Sequence, residues 1–476
     1  MKKSLVALGV IVALGTVWTG SAWYTGKSVE ESAQQRLDLI NAKFVGAKPG
    51  SEVKFDNLKI ERGIFSSNVT YDFVAAFPDM SFKIPFESTV YHGPFPLDRI
   101  THFDLVPILF STHDRIVKNE DTQAWFDYAQ GQNPFESKIK VGFDSTFTGQ
   151  AKIAPAKLAF SDVDIVWKGV DVNFNKLTAE GVGESDANID GLKFLFESDD
   201  NNNAKTLVEF NNIKAKSDLK VSEWQHIPLG KQTMEVDSFR LSLSEQGMRE
   251  FNVEYRNMSL DINTQKNDAF VDYNLFTKAP EMLVNGRSIG EFQAGVKLAH
   301  VEGNTMNTLL NLVENTAEHE TLPDDQVQTL AKTILKNQPL LQIEPLKLTT
   351  DSGDLKANLV VEMANGDIDM LEQGKVLSLF KQLAVNVDLS KEAMIKLVAM
   401  TEEAQGKSKE EAMLSATQMI EETFAESIHQ GVFVDNEKTI NLGLLLENNA
   451  LKLNGQPIPE EQILMMVVLF FLGMGY

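Results

Sequence analysis

The sequence of 476 residues contains no cysteine. Without thiols, the chain has no disulfide bonds, no thiolate ligands for zinc or iron–sulfur clusters, and no cysteine nucleophile. Disulfides are not needed for stability here, because a chain of this length can bury a large apolar core. The absence of cysteine therefore excludes these kinds of site but does not exclude an exported protein.

Positive charge is also in short supply. The 44 lysine and arginine residues are outnumbered by 67 aspartate and glutamate residues, which gives a formal net charge of −23. Nucleic acid and anionic lipid headgroups repel a protein of this charge, so we expect no nucleic-acid partner. A hydrophobic fraction of 43% is ordinary for a folded chain and excludes general disorder.

Sequence motifs for catalysis and metal binding are missing as well. The 7 histidines form no HExxH or HxH pattern, so a histidine metal site is not expected. His113-Asp114 is predicted to lie at the surface, and the Asp199–Asn203 cluster is predicted to be a solvated turn without the spacing of a calcium loop. There is no nucleophile elbow, phosphate-binding loop or dinucleotide fingerprint. We therefore predict no catalytic, cofactor-binding or metal-binding residues and a protein that is not an enzyme.

The most distinctive local motif is the segment from His92 to Leu97, which has the sequence HGPFPL. One interpretation makes His92 a general base beside a rigid loop defined by the prolines. The other is that Gly93 and the two prolines fix a turn between strands while Phe95 fills the core. We favour the structural interpretation.

The N-terminus has the features of a membrane anchor. Lys2 and Lys3 precede an uncharged run from residue 4 to residue 26. As a helix, this run would be about 34 Å long, enough to cross a hydrocarbon core of roughly 30 Å. The lysines on one side, with Glu30 and Glu31 on the other, predict a cytoplasmic N-terminus and an exported body.

A cleaved signal peptide is the alternative interpretation of this run. Gly20-Ser21-Ala22 offers small residues at a suitable spacing, but the apolar run is long, and Trp23 and Tyr24 would flank the cut. These two rings and Trp18 are instead typical of the outer membrane interface. We predict an uncleaved, single-pass anchor over residues 1–26 in the inner membrane, with the C-terminal body in the periplasm.

Residues 27–300 are predicted to be a β-rich periplasmic region, after a helical continuation of the anchor to about Phe44. Apolar and polar residues alternate, the pattern of strands with one face on a core and the other in solvent. Turns are predicted at Gly191, at the Asp199–Asn203 cluster and at Asn285-Gly286. The predicted strands include residues 53–55, 69–73, 163–167, 170–174, 239–243 and 251–255.

Residues 301–476 are predicted to be an α+β region in which helical spacing alternates with hairpins. Helices are predicted around residues 306–313 and 327–335, and from an N-cap at Ser390 to His429 with an interruption near Gly406. Ala393 stands three residues after Ser390, so no full capping box is expected there. The predicted strands are residues 346–350, 355–363, 385–389, 440–446 and 450–453.

The C-terminal stretch Ile463–Met474 is uncharged and almost wholly apolar. As a helix it would be about 18 Å long, too short to span a bilayer unaided. With apolar residues on every side it must be buried in something. Three interpretations stay open: a helix buried in the core, a second contact with the membrane, or a helix that plugs a groove in the sheet.

Several segments together resemble the YdgA-like family of uncharacterised bacterial envelope proteins. The similarity extends along most of the chain and implies an inner-membrane-anchored periplasmic protein, with no established catalytic residues to transfer. The segments that carry it are residues 1–27, Arg62–Ser67, His92–Leu97, Gly131–Phe135 and Asn449–Gly455.

We therefore expect an α+β fold: a single N-terminal transmembrane helix, then an elongated, mostly antiparallel sheet with packed helices in the C-terminal third. The leading hypothesis is a non-enzymatic binding or scaffolding protein of the cell envelope, acting through a homo-oligomer or another envelope protein. The alternative is a module that binds or transfers a lipid or other hydrophobic ligand in an apolar sheet groove, since 29 phenylalanines and the apolar C-terminus suit such a surface. A hydrolase with a site assembled from distant residues is a third hypothesis that no motif supports.

Overall fold

The computed structural model of the chain describes residues 2–43, 52–77, 80–159, 163–197, 204–245, 250–315, 324–365 and 375–459. The predicted turn at Asp199–Asn203 and the apolar stretch Ile463–Met474 lie outside these residues.

The N-terminal segment forms one helix, α1 (Lys2–Lys43), which confirms that the helix continues past Lys27. Its C-terminal part is fastened to the body by Asn41, whose side chain bonds both the N–H and the carbonyl oxygen of Phe55, at 2.7 and 2.8 Å. Among the residues whose side chains the structure describes, which in α1 begin at residue 16, no helix is long and apolar enough to cross a membrane.

The chain divides into two compact units. The N-terminal unit consists of Met1–Phe160, Asp164–Leu192 and Lys216–Asp218. In its antiparallel sheet, strands β1 to β6 pair in chain order, β6 then pairs with β8, and β8 also pairs with β7. The elements of this unit are β1 (Glu52–Arg62), β2 (Ser66–Phe77), β3 (Met80–His92), α2 (Leu97–Ile100), β4 (Phe110–Ile116), α3 (Gln123–Tyr128), β5 (Phe135–Val141), β6 (Phe147–Ile153), β7 (Ala156–Ala159) and β8 (Val163–Leu177).

The C-terminal unit consists of Ser161–Val163, Lys193–Ala215 and Leu219–Tyr476, and strands β9 (Glu184–Glu197) and β10 (Lys205–Lys220) contribute residues to both units. Each strand from β11 to β17 pairs antiparallel with the next, and β17 pairs with β19, which also pairs with β18 and β20. Its further strands are β11 (Leu229–Ser244), β12 (Phe251–Asn267), β13 (Phe270–Val284), β14 (Arg287–Glu302), β15 (Leu340–Thr350), β16 (Gly353–Met363), β17 (Phe380–Ser390), β18 (Val434–Asn436), β19 (Thr439–Glu447), β20 (Ala450–Leu453) and β21 (Gln456–Pro457).

Helices in the C-terminal unit bury apolar residues in two clusters. Its helices are α4 (Gly303–Asn315), α5 (Asp324–Lys336), α6 (Lys391–Ala404) and α7 (Lys409–His429), with a 3-10 turn at Val376–Leu379. In the first cluster, Met306 and Leu310 of α4 pack against Trp224, Ile227 and Val271. In the second, the small residues Ala399, Ala412 and Ala416 let α6 and α7 approach closely. The described residues thus confirm the predicted α+β class with mostly antiparallel sheet.

Several local predictions are confirmed, and each has a backbone reason. Asn285 and Gly286 both have positive φ, 49° and 76°, as a two-residue hairpin between twisted strands requires. Ser390 caps α6 by accepting a hydrogen bond from the N–H of Ala393. The helix interruption near Gly406 is present, and Ser408 is the N-cap of α7, with a full capping box that the prediction did not include.

The predicted turn at Gly191 is wrong. Gly191 lies buried inside β9, where the aliphatic part of Lys168 passes directly over it. A Cβ atom at this position would lie 2.9 Å from Cδ of Lys168. Glycine therefore provides packing space within a strand here, a role that its usual association with turns conceals.

Candidate functional site

His92 is buried at the end of β3, and both nitrogen atoms of its ring have partners. Nε2 lies 2.8 Å from Oγ of Ser67, and Nδ1 lies 3.0 Å from the carbonyl oxygen of Ile64. Burial lowers the pKa of His92; Arg62 lowers it further, while bonds to the carbonyls of Ile64 and Ala22 raise it. With 1% of the residue exposed, the ring offers no open face to a substrate. This geometry is that of a structural group.

Helix α1 packs directly on the HGPFPL segment. Gly26 of α1 faces the imidazole, and a Cβ atom at this position would overlap the ring of His92. Two turns earlier, Nε1 of Trp18 donates to the carbonyl oxygen of Phe95 at 2.9 Å, and its ring lies 4.8 Å from that of Phe65. The HGPFPL segment, for which the sequence favours a structural role, therefore holds α1 on the sheet.

A cleft of about 330 Å³, most of whose lining residues are charged or hydroxyl-bearing, lies beside this motif in the N-terminal unit. Arg99, which is only 6% exposed, pairs with Asp104 and donates from Nη1 to the carbonyl oxygen of Val106 at 2.7 Å. Nζ of Lys140 lies 2.9 Å from the same carboxylate. The bonds from Arg99 and then Lys140 hold the pKa of Asp104 well below its usual range.

The cleft also contains a serine, a carboxylate and histidines, but they do not form a nucleophile and its base. Oγ of Ser111 donates to both carboxylate oxygens of Asp98, at 2.8 and 2.9 Å. Nδ1 of His102 bonds the backbone carbonyl of Asp98 at 2.9 Å. In a hydrolytic triad the serine would instead donate to a histidine that a carboxylate orients. The cleft has the pairings of a structural network.

The pair His113-Asp114 does not form a metal site. Asp114, predicted to lie at the surface, is buried, because the hydroxyls of Ser137 and Thr112 satisfy its carboxylate at 2.5 and 2.9 Å. Across the described ranges of the chain, no group of three or more histidine, aspartate and glutamate side chains is arranged to hold a metal ion.

A continuous row of apolar side chains crosses the sheet of the C-terminal unit. Register pairs place one residue on each of eight strands directly opposite the next, from β12 to β17 and on to β19 and β20. With about 4.8 Å between neighbouring strands, the row extends for about 34 Å. We call it the apolar row, and it consists of Ile262, Leu275, Val296, Ile343, Leu359, Val385, Leu444 and Leu453.

A second row runs beside it on the same face, two residues along each strand. It consists of Tyr273, Leu298, Leu341, Val361 and Leu383, again in direct register. The adjacent residues on the opposite face of β12 to β15 are polar: Asn263, Asn274, Lys297 and Gln342. The two faces therefore differ in polarity on β12 to β15, whereas the corresponding residues on β16, β17 and β19 are the apolar Val360, Ala384 and Leu445.

The apolar face is covered only in part. Every residue of both rows is half-buried, neither sealed in a core nor fully exposed. The polar residues Asn263, Asn274, Lys297 and Gln342 of the opposite face are buried to a similar, intermediate degree. What distinguishes the apolar face is its continuous run of aliphatic side chains, and a wide apolar surface of this kind is a common mark of a binding surface. This face is the candidate site, and it can bind apolar chains by contact area without catalytic groups.

The sequence indicates that one face of the sheet is apolar, but it does not identify the residues that form this face. Alternation identifies the strands, whereas the rows depend on register between strands far apart in the chain, such as Leu359 opposite Val385. The two rows are also almost wholly aliphatic, although phenylalanine was the residue that suggested such a face.

The features define a class: an α+β protein with a long N-terminal helix, antiparallel sheets and a half-covered apolar face. The chain belongs to the family described as bacterial protein of unknown function (DUF945), whose model matches residues 1–461. It is 26% identical to Protein YdgA of Escherichia coli over 97% of this chain and 96% of that protein. An uncharacterised protein of Haemophilus influenzae is 29% identical over 66% of this chain and 86% of its own length. The uncharacterised protein YihF of Escherichia coli is 22% identical over 96% and 97%. The resemblance to the YdgA-like family is thus confirmed.

Proposed function

We propose that the protein is a non-enzymatic, inner-membrane-anchored protein of the bacterial cell envelope whose periplasmic body binds the acyl chains of a lipid. The single observation that carries this proposal is the apolar row, in which eight half-buried aliphatic residues follow one another in direct register.

The dimensions of the face suit acyl chains. The row is about 34 Å long, close to the roughly 30 Å of a bilayer hydrocarbon core, which two acyl chains fill end to end. The second row widens the surface by about two residues of strand, or roughly 7 Å. An extended, narrow and aliphatic surface matches a hydrocarbon chain better than it matches a compact polar metabolite.

The anchor is supported by the sequence. Lys2 and Lys3 precede the uncharged run, and the contacts of Trp18, Gly26 and Asn41 fix the same helix to the sheet. These contacts join the helix to the N-terminal unit, so an anchored α1 would hold that unit close to the membrane.

The experiment uses the full-length chain in cells, with the photo-cross-linking residue p-benzoylphenylalanine in place of Leu444 or of Leu445. The two are neighbours on β19 and point to opposite faces; Leu444 lies in the apolar row, and Leu445 is 45% exposed on the other face. We expect a phospholipid adduct at position 444 and none at 445. A protein adduct at 444 would instead favour the scaffolding hypothesis, and the absence of any adduct at 444 would contradict ligand binding on this face.

A further inference from the structure

Three connections of the N-terminal unit lie at one edge of its sheet, the edge that is formed by one end of each strand. Successive strands of β1 to β6 are antiparallel neighbours, so the connections after β1, β3 and β5 share an edge. Phe110, the first residue of β4, confirms this arrangement, because it pairs with both His92 and Val141, the last residues of β3 and β5.

Large apolar side chains project from all three connections. The exposed fractions are 52% for Ile64, 89% for Phe103, 59% for Leu105, 64% for Val106 and 63% for Phe143. We call these five residues the apolar edge. Single exposed apolar residues are normal, but a group of five from three connections at one edge marks an interaction surface.

The connection between β3 and β4, which carries three of the five residues of the apolar edge, is held in place, and two of its carboxylates have partners. Nη1 of Arg99 bonds the carbonyl oxygen of Val106, and the carboxylate of Asp104 is paired with Arg99 and Lys140. The hydroxyl of Ser111 is shared between the two carboxylate oxygens of Asp98. Because these carboxylates already have partners, transfer to a less polar surrounding costs less than it would for free charges.

Helix α1 arrives at this same edge. The helix runs alongside β1: near its C-terminal end Asn41 bonds Phe55, and closer to its N-terminus Glu30 bonds Arg62, the last residue of β1, at 2.6 Å. Trp18 then contacts residues of the first two connections at the edge, and the uncharged run continues toward residue 4.

We propose that the apolar edge lies in the interface of the lipid bilayer from which α1 emerges, as a second, non-helical membrane contact. This inference rests on the anchor in the proposed function. We assign the bilayer as the partner of the apolar edge for two reasons. The uncharged helix α1 contacts this edge, and Trp23 and Tyr24, residues typical of the membrane interface, are exposed beside that contact. A chain of net charge −23 gains nothing from anionic headgroups, so insertion of apolar side chains supplies the attraction.

The absence of cysteine makes the test direct, since single labels can be placed on the full-length chain. Phe103→Cys and Leu105→Cys probe the edge, and Tyr128→Cys, 46% exposed in α3, probes the opposite edge of the same sheet. Each variant carries an environment-sensitive fluorophore and is reconstituted in phosphatidylethanolamine and phosphatidylglycerol vesicles containing a quencher on the acyl chain.

We expect a blue shift and quenching by the lipid-borne quencher at positions 103 and 105, and neither effect at position 128. Labels at 103 and 105 that stay unquenched while alkaline carbonate leaves the protein in the membrane would overturn this inference alone. Release of the protein by carbonate would contradict the anchor itself and, with it, this inference. A blue shift at 103 without lipid quenching would indicate a protein contact and would also overturn it.

Discussion

Gly26 and His92 meet where α1 crosses the end of β3, and no side chain fits between them. The imidazole ring fills the space that a Cβ atom at Gly26 would need, and the ring itself is fixed by Ser67 and Ile64. A glycine in a helix interior costs about 1 kcal/mol relative to alanine, a cost that a close contact can offset. Here it permits the contact that joins the N-terminal helix to the body.

Replacing Gly26 is therefore expected to weaken this junction. Gly26→Ala should lower the stability of the N-terminal unit by about 1–3 kcal/mol, because a buried, hydrogen-bonded ring must move to admit the methyl group. Gly20→Ala in the same helix is the matched control, since nothing lies within 4 Å of a Cβ there. It should be neutral or stabilising by up to about 1 kcal/mol. Thermal unfolding of the two full-length variants measures the difference, and equal midpoints would contradict the proposed packing.

His92 predicts a pH dependence of stability with a definite sign. Its pKa is lowered in the folded protein, chiefly by burial, so the unfolded chain binds the proton more readily. The stability that the neutral ring provides is complete above the unfolded pKa of about 6.5 and is lost as the pH falls below it. Denaturant unfolding between pH 8 and pH 5 should show a smaller loss of stability in His92→Gln than in the wild type.

The same substitution has an expected cost at neutral pH. His92→Gln should destabilise by about 1–3 kcal/mol, because buried partners lose well-placed hydrogen bonds. His102→Gln, at an exposed position of the same unit, should stay within about 0.5 kcal/mol of wild type. A larger cost for His102 than for His92 would mean that the buried network does not support the fold.

How far the sequence predicts the structure is seen by comparing Ser390 with Gly191. The prediction that Ser390 is an N-cap is correct because a cap depends only on its own backbone and on an N–H three residues away. The predicted turn at Gly191 is wrong because the role of this glycine depends on Lys168, a residue of another strand. Helix boundaries, hairpin turns and strand alternation follow from local chemistry, and most of those predictions are confirmed.

The candidate site escapes the sequence for the same reason. Any one of the strands carrying Leu275, Val296 and Ile343 looks like an ordinary amphipathic strand. They form a row only because bulges shift the register between β14 and β15 and between β15 and β16. The HGPFPL motif shows the converse: it is conspicuous in sequence, yet its contacts with α1 depend on Trp18 and Gly26, which alone suggest nothing.

Arg99 and Lys140 share the carboxylate of Asp104 but should differ in their contributions to stability. Arg99 is 6% exposed, and its removal takes the donor from the carbonyl oxygen of Val106 and one of two cationic partners from Asp104, so Arg99→Ala should cost about 1–3 kcal/mol. The side chain of Lys140 is 44% exposed, and a pair of that kind contributes about 0–1 kcal/mol. Guanidinium unfolding measures both, and equal costs would contradict the assignment of Arg99 as the central group.

Asp104 itself predicts a loss of stability in acid. Its pKa is held below the usual range, so its pairing stabilises the fold above about pH 4 and is lost as the pH falls further. Asp104→Asn should lose stability at pH 7 but show a shallower decline between pH 5 and pH 3 than the wild type. An unchanged decline would mean that other carboxylates dominate the acid transition.

An open apolar face and a filled core make different predictions for Leu275. In a filled core, Leu275→Gln would cost several kcal/mol with or without ligand, because the amide would be buried without partners. On a half-covered face, the cost without ligand should be only about 1 kcal/mol. The main effect should then be the loss of the stabilisation that bound phospholipid provides, which grows with ligand concentration.

Asn274 provides the matched control, because it is the neighbour of Leu275 on β13 and points to the polar face. Asn274→Gln should keep the rise in melting temperature that added phospholipid gives the wild type, whereas Leu275→Gln should lose it. The measurement is a thermal melt of each full-length variant in detergent with increasing phosphatidylethanolamine. A large loss of stability in Leu275→Gln without lipid, and no lipid response in the wild type, would identify the rows as an ordinary core and remove the basis for ligand binding.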